Sequence, residues 1–277
     1  MRIDLRVTLL AATMLLLMSA CIHRRDPLHE WLQAGYSASY RAPLPTESDQ
    51  LAAAFAHALR GDGASGWEAL GYELFVVGDE HAVREVSPPT RGWGTYVFRT
   101  GDSRALVVQA PHGESDLGTD QIAFDLYRAA RARVLALNSA HRSLDGADQA
   151  NAVGAPFGLL GREAGRPAID AMVVQVHGYG EATASNHGLA ARSVVLSNGT
   201  RAPDPALHAL AGCLSQAGFD ARLFPMQASY PGGTRNAVRA GMAEAGAGRF
   251  VHLELGEVLR RDLVRDDDLL QRFAACL

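Results

Sequence analysis

The sequence contains few cysteines. Cys21, Cys213 and Cys276 are the only three in 277 residues, and none stands in a Cys-x-x-Cys pair. Dithiol redox motifs and cysteine-ligated zinc motifs are therefore excluded. An oxidising compartment would allow Cys213 and Cys276 to pair, but their positions in the sequence do not show whether the two thiols meet.

Several functional signatures are also missing. The formal net charge is −4, and no long basic run follows residue 25, so we expect no nucleic-acid partner. There is no Gly-x-Ser-x-Gly segment, which argues against a serine hydrolase. No internal repeat or low-complexity tract is found.

The amino-terminal segment "RIDLRVTLLAATMLLLMSAC" has the composition of a secretory signal. Its apolar run from Val7 to Met18 is too short for an ordinary membrane span, and it lies between a basic flank and small residues. The Ser-Ala-Cys ending at Cys21 resembles the lipobox of bacterial lipoproteins, which implies cleavage before Cys21 and lipid on that residue. An uncleaved anchor or a signal without lipid is the alternative. Ile22, in place of Asp, favours the periplasmic face of the outer membrane, with the inner membrane as second choice.

Cleavage of residues 1–20 would leave 257 of the 277 residues, enough for one large domain. Residues 21–50 are polar and contain proline, which predicts a tether that lifts a domain off a membrane. We therefore expect a single α/β hydrolase-like domain over residues 51–277.

Apolar and turn patterns predict the elements of that domain. Strands are expected at 72–77, 94–99, 105–110, 171–180, 192–199, 220–225 and 249–256. The turn sequence "TGDS" between the second and third of these predicts a hairpin. Helices are expected at 52–59, 119–137 and 205–218, with a loop over 138–170. Strands that alternate with helices predict an α/β fold whose mainly parallel or mixed central sheet is flanked by helices.

Polar residues stand at the ends of three predicted strands. His112 and Asp116 follow one strand, His177 lies near the end of the next, and Glu254 lies near the end of the last. Binding sites of such sheets lie beyond the carboxyl ends of the strands. We therefore expect these four side chains to meet.

The residue types predict a hydrolytic zinc centre. A catalytic zinc typically has three protein ligands, often two His and one carboxylate, and keeps its fourth position for water. His112, Asp116 and His177 supply that set. A further carboxylate can take the proton of the attacking water and pass it to the leaving amine, and Glu254 is the candidate.

Each residue also has a simpler interpretation. A strand-end His is often a surface or hydrogen-bonded residue, and Glu254 alternates with leucines as a solvated residue would. Glu114 is more simply a turn residue than a partner of a ligand, and His252 is interpreted as a packing residue or an outer partner of the site. The agreement of three strand ends favours the functional interpretation.

The segment "HGESDLGTDQIA", residues 112–123, resembles the zinc carboxypeptidase superfamily. The likeness is strongest to its poly-γ-glutamate hydrolase branch, with N-formylglutamate amidohydrolases as relatives. In that branch a His is followed by a carboxylate and then by a Gly-Thr that opens a helix. Asp116 stands three residues before Thr119, where the family places its ligand, so the resemblance implies Asp116 rather than Glu114.

A later segment, "ELGEVLRRDL", is similar to the same branch. The resemblance implies that Glu254 is the catalytic carboxylate and that Arg260 or Arg261 is structural. The ligand is Asp here, and its spacing from His112 differs from the His-x-x-Glu of carboxypeptidases proper. A shorter side chain needs a different turn to reach a metal.

The segment "YPGGTRNAVRAG" at 230–241 precedes the Glu254 strand. In the carboxypeptidase superfamily an Arg, often with a neighbouring Asn, holds the substrate carboxylate, because guanidinium and carboxylate form two parallel hydrogen bonds. Arg235 and Asn236 are the corresponding candidates, and a flexible surface loop is the alternative.

Together these features predict a zinc-dependent hydrolase of an amide or peptide bond, anchored in a bacterial envelope, with a peptide-like or N-acyl amino-acid substrate. The alternative is a lipoprotein that uses the same fold as a binding or envelope-structural module without turnover.

Overall fold

The computed structural model describes residues 26–277, and in these residues nine strands form one sheet. The strands are β1 (Tyr72–Val77), β2 (Glu80–Glu85), β3 (Thr95–Arg99), β4 (Arg104–Ala110), β5 (Ala132–Leu137), β6 (Met172–Tyr179), β7 (Ser193–Ser197), β8 (Asp220–Leu223) and β9 (Arg249–Gly256). Their order is β1-β2-β3-β5-β4-β6-β9-β7-β8. The four central strands β5, β4, β6 and β9 are parallel, whereas β1, β2 and β3 add an antiparallel flank and β7 runs antiparallel to β9.

Helices cover both faces of this sheet. They are α1 (Pro27–Gln33), α2 (Pro45–Arg60), α3 (Thr119–Ala129), α4 (Pro156–Ala164), α5 (Glu181–His187), α6 (Pro205–Gln216), α7 (Ala237–Ala245), α8 (Glu257–Arg265) and α9 (Asp267–Ala274). Apolar residues of α1, α3, α6, α8 and α9 share one core, and those of α2, α4 and α7 share the other. The predicted α/β fold with a mixed sheet and flanking helices is confirmed.

The central strands are buried on both faces, which explains their continuous apolar runs. Val108 and Val174 belong to the first core, whereas Val107 and Val173 belong to the second. A strand with only one covered face would alternate apolar and polar residues. Buried polar residues within these strands, such as Gln109, Gln175 and His177, are therefore exceptions that need partners.

Three predictions about secondary structure are wrong. The segment 138–170 is not all loop, because it contains helix α4. The "TGDS" turn does not close a hairpin, because β3 pairs with β5 and β4 lies on the other side of β5. The helix predicted over 119–137 ends at Ala129, and Arg131 adopts a left-handed φ of 50° before β5 begins. The "ARVLAL" segment has apolar residues at helical spacing because a fully buried strand is apolar at almost every position.

The tether prediction is corrected for the described part of residues 21–50. Leu28 and Leu32 of α1 are buried in the first core, and Ser37 forms a β-bridge with Ala140. Helix α2 begins at Pro45, earlier than the predicted start at residue 52. Leucines at four-residue spacing give α1 an apolar face that packs against the sheet, although the segment is polar on average.

Cys213 and Cys276 form a disulfide that links α6 to the carboxyl terminus across 63 residues. The sequence left this pairing open. A cross-link of this kind stabilises the fold mainly by restricting the unfolded chain. Within residues 26–277, no helix combines the length and apolarity that a membrane span requires. The predicted signal and Cys21 lie outside the described residues.

Candidate metal and catalytic site

A single helical turn brings His112 and Asp116 together. The backbone N–H groups of Ser115 and Asp116 both donate to the His112 carbonyl at 2.8 Å, so side chains four residues apart face the same side. His112 Nδ1 lies 3.5 Å from Asp116 Oδ2. This turn is how the shorter Asp side chain reaches the His, and the backbone N–H of Gly178 donates to the same oxygen at 3.1 Å.

His177 completes a group of three possible ligands. It stands near the end of β6, beside β4, and its Nδ1 lies 3.1 Å from His112 Nδ1 and 3.8 Å from Asp116 Oδ2. Tetrahedral zinc with bonds of about 2.0–2.1 Å separates neighbouring ligand atoms by about 3.3 Å. The three residues therefore match the chemistry and the spacing of a zinc ligand set.

A second group of three donors overlaps the first. His177, His252 and Glu254 also offer ligand atoms within 4.8 Å of one another. The His252 ring stacks on the His177 ring with centroids 4.3 Å apart, and its Nε2 lies 3.8 Å from Glu254 Oε1. Because both groups share His177, a variant at His112 and one at His252 distinguish them.

Outer hydrogen bonds orient both imidazoles of the first group. His112 Nε2 lies 2.8 Å from Asp148 Oδ1, and His177 Nε2 lies 3.2 Å from Gln175 Oε1. When each Nε2–H donates to its acceptor, each Nδ1 keeps its lone pair, which is the tautomer that ligation of a metal through Nδ1 requires. Asp148 was missed by sequence reasoning, since it stands in the long 138–170 segment where no periodicity marks it.

Burial keeps the imidazoles on β6 and β9 neutral. Burial lowers the pKa of His177 well below its ordinary value, and the nearby His252 and His112 lower it further. The pKa of His252 falls to about 3, mainly because of burial. Burial opposes charge on His112 too, but its hydrogen bonds with Asp116 and Asp148 outweigh that effect and raise its pKa. Neutral His177 can act as a ligand directly, whereas a protonated His112 would first have to release its Nδ1 proton.

Glu254 lies opposite His177 in the register of β6 and β9. Its side chain is 12% exposed. Burial raises its pKa to about 8, and the negative charge of Asp116 adds to the effect. A cation held by His112, Asp116 and His177 would act in the opposite direction and favour the ionised form, which a general base needs.

In chelator-treated protein, Glu254→Gln is expected to raise the free energy of unfolding at pH 8 and to leave it unchanged near pH 4. The native pKa of about 8 exceeds the ordinary 4.5, so unfolding releases a proton between these values and wild-type stability falls as the pH rises through that window. One pKa unit is worth about 1.4 kcal/mol, so the gain is a few kcal/mol at most. Denaturant titrations at the two pH values measure it, and equal stabilities at pH 8 would contradict it.

The two predicted substrate-binding residues have different environments. Arg235 is exposed and has no hydrogen-bond or salt-bridge partner within residues 26–277, which leaves its guanidinium available to a ligand. Asn236 is buried, caps α7 through its Oδ1, and donates from Nδ2 to Gln175 Oε1 at 2.6 Å. Asn236 therefore supports His177 indirectly, through Gln175.

Arg260 has the structural role that the resemblance implied for Arg260 or Arg261. Its buried guanidinium donates to the carbonyls of Leu117, Tyr179 and Leu255. These contacts join the Asp116 turn to the ends of β6 and β9. A Cβ at Gly178 would lie 2.2 Å from this guanidinium, which explains the glycine directly after His177.

The three predicted metal ligands and the predicted catalytic Glu254 all line one polar cleft of about 390 Å³. Among its described lining residues, Asp116 and Glu254 are the only carboxylates, and Arg142, Arg201 and Arg235 are the basic ones. The three arginines outnumber the two carboxylates, and a bound metal dication would add to this positive charge. The cleft would therefore favour a ligand with a negatively charged group.

No family model and no curated protein matches the chain. Among solved structures it is similar to a bacteriophage poly-γ-glutamate hydrolase, at 16% identity over 65% of this chain and 85% of that one, with a TM-score of 0.42. It is also similar to an N-formylglutamate amidohydrolase from Ralstonia eutropha, at 12% identity over 66% and 96%, with a TM-score of 0.42. A metallo-carboxypeptidase from Burkholderia cenocepacia shows 12% identity over 81% and 67%, with a TM-score of 0.40.

Proposed function

We propose that the chain is a zinc-dependent hydrolase of amide bonds in peptide-like or N-acyl amino-acid substrates. The observation that carries this proposal is the convergence of His112 Nδ1, Asp116 Oδ2 and His177 Nδ1, which lie within 3.8 Å of one another at the carboxyl ends of parallel strands. A catalytic zinc uses such a set of two His and one carboxylate.

Zinc at these residues would polarise the amide carbonyl and activate water. Glu254 then takes the proton of the attacking water and returns it to the leaving nitrogen. Asp148 and Gln175 hold the two imidazoles in the tautomer that presents Nδ1.

Arg235 is the residue we assign to the substrate carboxylate. It lines the same cleft as Glu254, and its guanidinium can form two parallel hydrogen bonds with a carboxylate. Asn236 contributes by holding Gln175 and the start of α7. This arrangement fits a substrate with a free carboxylate near the scissile amide.

The purified domain provides the test. Elemental analysis is expected to give about one zinc per chain, and a panel of peptides, N-acyl amino acids and γ-glutamyl amides is expected to contain a hydrolysed substrate. Chelation should stop that hydrolysis, and added zinc should restore it. Bound zinc without hydrolysis of any panel member would favour the binding-module alternative instead.

We also propose that the protein is anchored by lipid on Cys21 at the periplasmic face of the outer membrane. The Cys213–Cys276 disulfide suits an oxidising compartment.

Changing Cys21 to Ala is expected to move the protein from the membrane fraction to the soluble fraction and to block maturation, because the acyl chains supply the membrane affinity. Fractionation of cells that express the wild type and the variant measures this change. An unmodified Cys21 in the mass spectrum of the mature wild-type chain would contradict the prediction.

A further inference from the structure

Arg142 contacts the atom of His112 that a metal needs. Its Nη1 lies 2.9 Å from His112 Nδ1, and its Nη2 donates to Asp148 Oδ2 at 3.1 Å. Asp148 in turn bonds His112 Nε2 through its other oxygen. Arg142, Asp148 and His112 thus form a closed ring of hydrogen bonds at one side of the proposed metal position.

An imidazole nitrogen has one lone pair in the ring plane. With Nε2–H bound to Asp148, the Nδ1 lone pair of His112 is the only one on that ring, and it accepts from either the guanidinium or a metal ion. Arginine stays protonated, so its guanidinium and a metal cation at this position would also repel each other. Binding of one excludes the other.

The guanidinium has another place to go. The Arg142 side chain is 38% exposed and lines the cleft beside Arg201 and Arg235. Asp148 Oδ2 is a separate oxygen from the one that bonds His112, so Arg142 can keep this partner when it leaves Nδ1. When the Arg142 guanidinium leaves His112, one hydrogen bond is lost, and the positively charged side chain stays in the cleft.

We propose that Arg142 is a built-in competitor for zinc, which lowers the zinc affinity of the site and turns into the cleft as an anion-binding group when zinc takes His112 Nδ1. This inference rests on the zinc site of the proposed function and adds a residue that sets its affinity. A negatively charged substrate that captures Arg142 favours zinc retention by the same coupling, since such linkage is reciprocal.

Zinc affinity of purified full-length protein, measured by competition with a chromophoric chelator at one pH near neutrality, tests the proposal. Arg142→Ala is expected to bind zinc roughly ten- to hundredfold more tightly than the wild type, because a hydrogen bond to a charged group no longer has to be broken. Arg142→Met keeps most of the side-chain packing and is expected to behave in the same way. Arg142→Lys retains a cation and is expected to lie between the wild type and Arg142→Ala.

Arg201→Ala is the matched control. It removes a cation from the same cleft, but Arg201 contacts the Phe224 ring rather than His112, so its zinc affinity is expected to stay within about twofold at physiological salt. Equal or weaker zinc binding by folded Arg142→Ala and Arg142→Met would overturn the inference alone. If Arg201→Ala increases the zinc affinity as much as Arg142→Ala does, the inference would also be overturned, because the effect would then come from net charge. Failure of every variant and of the wild type to bind zinc would overturn the metal site as well.

Discussion

Glu254→Gln is expected to reduce amide hydrolysis by about two to four orders of magnitude while zinc content stays near one per chain. A positioned proton acceptor contributes roughly 10²–10⁴-fold to such a reaction, and glutamine keeps the size of the side chain but not its basicity. Glu254 lies opposite His177 and its side chain is only 12% exposed, so bulk water is a poor substitute. Single-turnover rates and elemental analysis of the same preparation measure both quantities.

Glu114→Gln is the matched control for that experiment. Glu114 belongs to the same His112–Asp116 turn but is exposed, so its loss is expected to change turnover little. A Glu254→Gln protein without zinc would make Glu254 a ligand. Unchanged turnover in Glu254→Gln together with a large loss in Glu114→Gln would transfer the role of base to Glu114.

The central strands could be predicted because burial on two faces leaves a plain signal. Runs such as "AMVVQVHGYG" have strand length and almost no polar residue, and β6 and β9 were found on that basis. The antiparallel flank gave no such signal. Strand β2, "EHAVRE", carries two glutamates and an arginine and was missed; its Glu80 is buried because it pairs with Arg99 and Arg128.

The order of the strands was the other gap. The two strands on either side of "TGDS" were expected to pair, and the insertion of β5 between β3 and β4 depends on long-range packing that no local pattern encodes. The same reason applies to α1. Its leucines pack against a sheet that is built mostly from residues far along the chain.

The predicted metal ligands and Glu254 could be found from the general position of sites in parallel sheets, whereas the hydrogen-bond partners around them could not. Because parallel strands present their carboxyl ends at one edge, His112, His177 and Glu254 could be expected to meet without any distance being known. Asp148 and Arg142 come from a connection of irregular structure, and Asn236 reaches the site through Gln175. Partners of this kind depend on how loops fold over the sheet edge, which the sequence does not show.

His112→Ala and His177→Ala are each expected to lose zinc, with a fall in affinity larger than the roughly 10- to 100-fold that partners outside the ligand shell contribute. Each supplies one of the three donor atoms that lie within 3.8 Å of one another. Elemental analysis after gel filtration measures the loss. Thermal melts with and without added zinc give a second readout, since a ligand at 100 times its Kd stabilises the folded state by about 2.7 kcal/mol.

His252→Ala distinguishes the two overlapping groups of donors. His252 is buried on the same face of the sheet and stacks on His177, but it belongs only to the group that includes Glu254. We expect His252→Ala to keep about one zinc per chain and a zinc-dependent rise in melting temperature, because His112, Asp116 and His177 remain. If His252→Ala loses zinc while folded His112→Ala keeps it, the metal belongs to His177, His252 and Glu254, and Glu254 is a ligand rather than a base.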